Sequence, residues 1–346
     1  RSSSAASDVY KRQDYMKRIK FAILGLGRIG RLHADTIITN PNSELVSIND
    51  PKNNEINNLK KKYLCQVMSI DDIASDDQIK GLLICTPTET HVDLIKKFLH
   101  TKKAVFCEKP LDLNLKKVEN IVQLVRDTKS QVMVGFNRRF DPHFAKLKLH
   151  LIQKEIGIIE QIIITSRDPS PPTIEYITQS GGIFKDMAIH DFDMAVFLVG
   201  EKIHSISALG SNLVSKKIEQ AGDYDTANIL MKTVSGKQIS IINSRRTTYG
   251  YDQRVEVHGS KGILKVNNPP LTEIELANES GATKERLHTF FMTRYADAYK
   301  NQIDYFIECI KKKSMPKPDV QDGHYALYLA ENALKSARTG RTIYLS

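Results

Sequence analysis

At 346 residues the chain is long enough for two domains with separate cores. Its 50 Lys and Arg against 40 Asp and Glu give a formal net charge of +10. The lysines are scattered, as at Lys60-Lys61-Lys62 and Lys311-Lys312-Lys313, and carry no interleaved aromatics. A solvated surface is therefore expected, and no nucleic-acid partner. No run of about 18 apolar residues occurs, so no membrane-spanning helix is expected. The four cysteines (Cys65, Cys85, Cys107, Cys309) have no CxxC spacing and read as reduced core thiols of a cytoplasmic protein.

The first residues stand apart. Ser3 to Gln13 has no apolar h-region and is not a signal peptide. It resembles the in-frame translation of a sequencing adapter, so residues 1–15 are set aside as a tail and Met16 is the expected native start.

Ile19 to Leu24 is a short apolar strand that runs into Gly25-Leu26-Gly27-Arg28-Ile29-Gly30 and then a helix ending at Asn40-Pro41. Strand, glycine loop and helix in this order suit a dinucleotide. Gly25 permits the tight turn, Gly27 lets a pyrophosphate approach the backbone, and Gly30 allows close helix–strand packing. Arg28 and Ile29 open the helix whose N-terminus would hold the phosphates. The next strand, Glu44 to Asn49, ends at Asp50, twenty residues past Gly30, where a carboxylate meets ribose hydroxyls and repels a 2′-phosphate. NAD is favoured over NADP, although Lys52 nearby is a cation able to accept the extra phosphate.

Alternation continues through a helix at about Asn54 to Tyr63, a segment near Val67, and strands at Gly81–Cys85, Ala104–Cys107 and Gln131–Gly135, with helices between them. Near-continuous apolar strands between amphipathic helices indicate a doubly wound parallel sheet, a Rossmann domain assigned to residues 16–138. Ligands bind such sheets beyond the C-terminal strand ends. Cofactor contacts are expected there from the glycine loop, Asp50, Thr86, Pro87, Thr88, His91, Glu108, Lys109 and Asn137. Lys109, after a buried strand and before Pro110, is placed for its ammonium to stabilise a developing oxyanion.

Beyond residue 139 the pattern becomes strand-rich, with runs at Ile159–Arg167, Ile203–Leu209, Ala227–Thr233, Gln238–Ser244, Arg254–His258 and Gly262–Val266. Ser235-Gly236 and Gly259 to Gly262 are hairpin signals. Residues 139–346 are accordingly assigned to an α+β domain with a mainly antiparallel, open-faced sheet, closed by helices at about Phe290–Lys312 and Asp322–Ala337. Asp322 is the expected N-cap of the last. Within this domain, Gly181-Gly182 opens what reads as one helix carrying Asp186, His190 and Asp193 at i, i+4 and i+7, on a single face. An imidazole beside carboxylates suits a proton acceptor.

Assembled from Met16 onward, these pieces resemble the family of glucose–fructose oxidoreductase and inositol dehydrogenase. Its general marks are Gly25/Gly27/Gly30, Thr86-Pro87-Thr88, Glu108-Lys109-Pro110, and Asp186 with His190. Marks of its inositol 2-dehydrogenase branch are Gly135 to Asp141, Ser166 to Pro169, Ile174 to Tyr176, Gly181 to Asp193, and Tyr249 to Asp252. The resemblance implies NAD-dependent oxidation of a ring secondary alcohol to a ketone, myo-inositol to scyllo-inosose. It implies His190 as base, Asp186 orienting the imidazole, and Lys109 holding the alkoxide. Asn137, Arg138, Arg167, Asp193 and Tyr251 become candidates to bind ring hydroxyls. It further implies a cis Lys109–Pro110 peptide, no metal, and a homotetramer built through the open sheet. Several alternatives stay open. One of Arg138 and Arg139 serves only to bridge the domains; Tyr251 is a core cross-strand aromatic; the substrate is another inositol isomer or a sugar, or the cofactor NADP; or the protein senses dinucleotide without catalysis.

Overall fold

Strands β1 (Ile19–Leu24), β2 (Ser43–Asn49), β3 (Gln66–Val67), β4 (Gly81–Ile84), β5 (Ala104–Cys107) and β6 (Val132–Val134) form one sheet in the order β3-β2-β1-β4-β5-β6. Every pairing in it is parallel. The central strands are buried along their length, as their unbroken apolar sequences require of a sheet covered on both faces. Strand order reverses between β1 and β4, and the loops leaving their C-terminal ends open the crevice where such sheets take ligands.

The computed structural model describes residues 18–345, so the adapter-like tail and Met16 lie outside the described residues. The chain divides into two compact units. The first ends at Phe136 but also takes in Tyr299–His324; the second contains Asn137–Ala298 and the residues from Tyr325 on. Residues 299–324 are thus packed with the parallel sheet, although their sequence position assigned them to the second domain. The reason is aromatic packing: Phe306, fully buried, lies with its ring centroid 6.2 Å from Phe21 and 5.9 Å from Phe106. Backbone pairing adds to it, since Val134 N–H donates to Pro318 O at 2.9 Å.

In the second unit, β7 (Ile159–Arg167), β8 (Ile203–Ser211), β9 (Thr226–Thr233), β10 (Gln238–Ser244), β11 (Asp252–Gly259), β12 (Gly262–Val266) and the C-terminal Ile343–Tyr344 form a seven-stranded sheet. The pairings are antiparallel except β7 with β10, which is parallel, so the sheet is mixed. Along β9 the residues alternate between a buried face (Ala227, Ile229, Met231, Thr233) and an exposed one that includes Leu230. The helix Ile189–Val199 packs on β7. A short helix at Lys216–Gln220 and an exposed hairpin, Glu275–Asn278 with Gly281–Lys284, were not anticipated; neither has apolar periodicity.

The helix Val320–Thr339 begins two residues before the anticipated cap. Asp319 Oδ1 accepts the Gln321 and Asp322 amides at 2.9 and 3.1 Å, while Asp322 Oδ2 accepts the Asp319 amide at 2.8 Å. Asp322 is therefore the reciprocal residue of a capping box and Asp319 is the cap.

Candidate active site

The glycine loop carries out three different tasks. Gly25 has φ +86°, and a Cβ there would lie 2.6 Å from the Cys85 carbonyl. A Cβ on Gly30 would sit 2.0 Å from Gly25 O, so helix and strand meet at backbone distance. Gly27 differs: a Cβ would find no protein atom within 4 Å. Its bareness is not used by the protein itself, which is what a close-approaching pyrophosphate requires. Gly27 is also the N-cap of the helix Arg28–Thr39, whose N-terminus has no side-chain cap and no acidic residue in its first turn. Its amides, Arg28 and Ile29 among them, present a positive end to an anion.

Asp50 closes this loop from β2. Its Oδ2 accepts the Leu26 amide at 2.7 Å and its Oδ1 the Lys52 amide at 3.2 Å. The carboxylate is thereby fixed, partly exposed, at the same sheet edge. Thr86 and Thr88 follow β4 there, and Thr86 Oγ1 lies 2.6 Å from Thr90 Oγ1. These residues fit a dinucleotide.

Two residues assigned to the cofactor have other engagements. Both ring nitrogens of His91 face carbonyl oxygens, Nδ1 to Pro110 O and Nε2 to Thr86 O, each at 2.8 Å. His91 is 1% exposed. It ties the loop after β4 to the one after β5, at the residue that follows Lys109. Glu108 turns to the fully buried His33, Oε1 to Nε2 at 2.7 Å, while its Oε2 accepts the Lys109 amide at 3.2 Å. Gly135 leaves room for it, since a Cβ there would meet Glu108 Oε2 at 2.7 Å. In sequence His33 is an ordinary residue of the helix after the glycine loop; its partner Glu108 is remote, and no local pattern marks it. The Lys109–Pro110 peptide is cis.

In the second unit the single helix expected from Gly182 onward is interrupted. Gly181 and Gly182, with φ +83° and +80°, lead into a π-helical turn, Ile183–Met187, and the α-helix starts only at Ile189. Asp186 is on the turn, His190 in the first turn of the helix. The Tyr176 hydroxyl donates to Asp186 Oδ1 at 2.9 Å. Arg245, 1% exposed, places Nη1 3.8 Å from Asp186 Oδ2 and Nη2 3.5 Å from Asp223 Oδ2. Asp223 accepts the Ile183 amide, at 2.9 and 3.1 Å to its two oxygens, which fixes the start of the π-turn. Asp168 adds a further carboxylate. Desolvation pushes its pKa up to about 6, the negative charges of Asp186 and Asp191 working in the same direction against Arg245 and Arg138. Arg245 and Asp223 were not foreseen, because their sequence positions lie far from the glycine pair they serve.

Asp186, Asp191 and Asp193, close to His190 in sequence, turn to different partners. Asp193 is 3% exposed and takes both Nε and Nη2 of Arg139, at 2.9 and 2.6 Å. Asp191, fully buried, accepts from Arg138 and Ser166 on one oxygen, both at 2.5 Å, and from Asn243 on the other at 2.7 Å. Arg138 and Asp193, expected at substrate, are held in ion pairs inside the second unit, with Asp191 and Arg139 respectively. Tyr251 packs as a core aromatic, 6% exposed, edge-on to Tyr295 at 6.1 Å. Its neighbour Tyr249 is half exposed and donates to Asp252 Oδ2 at 2.7 Å. Arg167 donates to both Tyr249 Oη and Asp252 Oδ2, at 2.8 and 3.2 Å. Asn137 is 3% exposed, and its Nδ2 has no hydrogen-bond partner among the described residues.

Comparison with known proteins gives this arrangement its relatives. The profile described as oxidoreductase family, NAD-binding Rossmann fold, matches residues 19–136, and that of the family's C-terminal alpha/beta domain matches 148–345. The chain is 47% identical over 328 residues to the inositol 2-dehydrogenase of Rhizobium meliloti, covering 95% of this chain and 99% of the relative. The crystal structure of a myo-inositol dehydrogenase from Corynebacterium glutamicum matches with TM-score 0.91 and 41% identity, covering 95% and 99%. The scyllo-inositol dehydrogenase of Lactobacillus casei, solved with bound NAD(H) and scyllo-inositol, matches with TM-score 0.88 and 27% identity, covering 95% and 99%. With both halves matched in order, the chain belongs to the GFO/IDH/MocA family of oxidoreductases, an NAD-binding Rossmann fold followed by an α/β domain.

Proposed function

We propose that the protein oxidises a secondary hydroxyl of a cyclic polyol to a ketone with NAD, and that the polyol is myo-inositol, giving scyllo-inosose. The observation that carries the reading is the 47% identity to an inositol 2-dehydrogenase across nearly the whole of both chains. The glycine loop, Asp50, Thr86 and Thr88 would hold the cofactor, with Asp50 set against a 2′-phosphate. NAD, when bound, supplies the hydride acceptor.

The chain's own residues supply the proton chemistry. His190 takes the hydroxyl proton as the carbinol is oxidised, and Asp186 orients the ring and favours the imidazolium formed. Lys109 is assigned the task of lowering the cost of alkoxide character on the reacting oxygen. Arg167, Tyr249 and the Asn137 amide are the groups we assign to ring hydroxyls. A polyol needs several such paired donors and acceptors, because an unmatched buried hydroxyl is costly. Assembly as a tetramer through the exposed face of the second unit's sheet, and a cytoplasmic setting for its free thiols, complete the proposal.

The test is NADH formation, followed by absorbance, with NAD or NADP against myo-inositol, scyllo-inositol, chiro-inositol and glucose. Turnover of myo-inositol with NAD well above the rest supports the reading. Preference for scyllo-inositol would favour the second reading, which the likeness to the Lactobacillus casei enzyme motivates. No turnover of any polyol would overturn both.

A further inference from the structure

We propose that Arg245 is a positioning residue for the Asp186–His190 pair, a buried cation that sets the charge state in which the pair accepts a proton. The inference rests on the base role proposed above for His190. Several arginines of the second unit face carboxylates, and three of them near the π-turn and its following helix do so differently. Arg138 reaches Asp191 at 2.5 Å, and Arg139 grips Asp193 with two bonds at 2.9 and 2.6 Å. Those are locking geometries. Arg245 is as deeply buried but stands back, 3.8 Å from Asp186 and 3.5 Å from Asp223, with its Nε–H lacking a hydrogen-bond partner among the described residues. A residue selected only to cross-brace the fold would close those distances. One that places charge between two carboxylates need not.

The groups around it fix the sign of its effect. Arg245 faces Asp186 on the π-turn, Asp223 before β9, and Asp168 after β7. Asp186 also faces the Tyr176 hydroxyl, and Lys185 beside it is paired with Glu331 at 2.9 Å. The competent state for alcohol oxidation has Asp186 anionic and His190 neutral. The guanidinium 3.8 Å from Asp186 favours the carboxylate's anionic form and so supports the competent state. Removing the guanidinium should move the acid limb of the pH–rate profile upward. Removing a competing carboxylate, Asp223, should move it downward.

The experiment measures kcat/KM for myo-inositol against pH in wild type, Arg245→Met, Arg245→Lys and Asp223→Asn. The expected result is an acid limb raised by at least about half a unit in Arg245→Met, restored in Arg245→Lys, and lowered in Asp223→Asn. The KM for NAD should stay constant while kcat falls about tenfold or more in Arg245→Met. If Arg245→Met does not fold, the opposite displacements in Arg245→Gln and Asp223→Asn decide. The same order is read without substrate from the His190 ring resonance against pH, in selectively labelled protein. An active wild type whose variants lose rate with an unmoved acid limb and unmoved resonance would overturn the inference alone. A wild type inactive on every polyol would overturn the proposed function, and the resonance would then decide the role of Arg245.

Discussion

His33 and Glu108 meet at 2.7 Å inside the first unit, joining the glycine-loop helix to the end of β5, where Lys109 follows. His33 is fully buried, its ring edge-on to Phe106 at 5.0 Å and to Tyr299 at 5.7 Å. Replacing it with Leu keeps the volume but leaves Glu108 Oε1 without its donor. We expect His33→Leu to lower stability by about 2 kcal/mol, and Glu108→Gln, which keeps a hydrogen bond, by under about 1 kcal/mol. Urea unfolding of the two variants checks the order; equal losses would remove the hydrogen bond as the reason.

The glycines separate in the same way. Gly30→Ala puts a methyl 2.0 Å from Gly25 O, so the fold must give way, by about 2 kcal/mol or more. Gly27→Ala meets no protein atom within 4 Å and needs no left-handed backbone, since φ there is −66°. Its melting temperature should stay at the wild-type value while NADH binding weakens by about tenfold. Fluorescence titration and thermal melts distinguish a packing glycine from a ligand glycine; intact NADH binding in Gly27→Ala would contradict the assignment.

Asp50 holds the Leu26 amide and, on our reading, also excludes a 2′-phosphate. The Asp50→Ala variant should raise the ratio of kcat/KM for NADP over NAD by at least about tenfold, with Lys52 available to the extra phosphate. An unchanged ratio would leave Asp50 with the loop-closing task only.

His190→Ala should lose turnover by about 10³-fold, the range of a positioned base, and bind NADH within about twofold of wild type. Lost binding with retained turnover would reverse the roles.

Asp168 gives a pH signature in stability. Its folded pKa of about 6 lies above the usual 3.8, so the folded state holds this proton more tightly than the unfolded chain. The stabilisation is fully present below the unfolded value and is lost as pH rises through the folded one. Asp168→Asn mimics the protonated side chain. It should melt with wild type near pH 4 and roughly 3 °C above it at pH 8. A constant offset across that window would count against a titrating Asp168.

The sequence allowed the parallel sheet, the glycine loop and most strand limits to be anticipated, because each rests on local periodicity or on a glycine that a turn demands. Ile159–Arg167 and Gln238–Ser244 fall where their alternation puts them. What local pattern could not carry is which partner a charged side chain chooses. Asp186, Asp191 and Asp193 look alike in sequence, yet one faces Tyr176 and Arg245, one anchors Arg138, and one is gripped by Arg139. The π-turn that carries Asp186, apart from the helix that carries the other two, inserts a register change no hydrophobic period reveals. The parallel pairing of β7 with β10 was likewise hidden, since alternation gives a strand its faces but not its neighbour's direction.

The return of Tyr299–His324 to the first unit has a consequence for biogenesis. Phe306 fills space against Phe21 and Phe106, and Gln131 donates to the Cys309 and Ser314 carbonyls at 3.0 and 2.6 Å. A nascent chain that has emerged only as far as residue 136 therefore lacks the segment that seals its nucleotide half. That half is completed only once residues 299–324 have been translated, long after its own six strands.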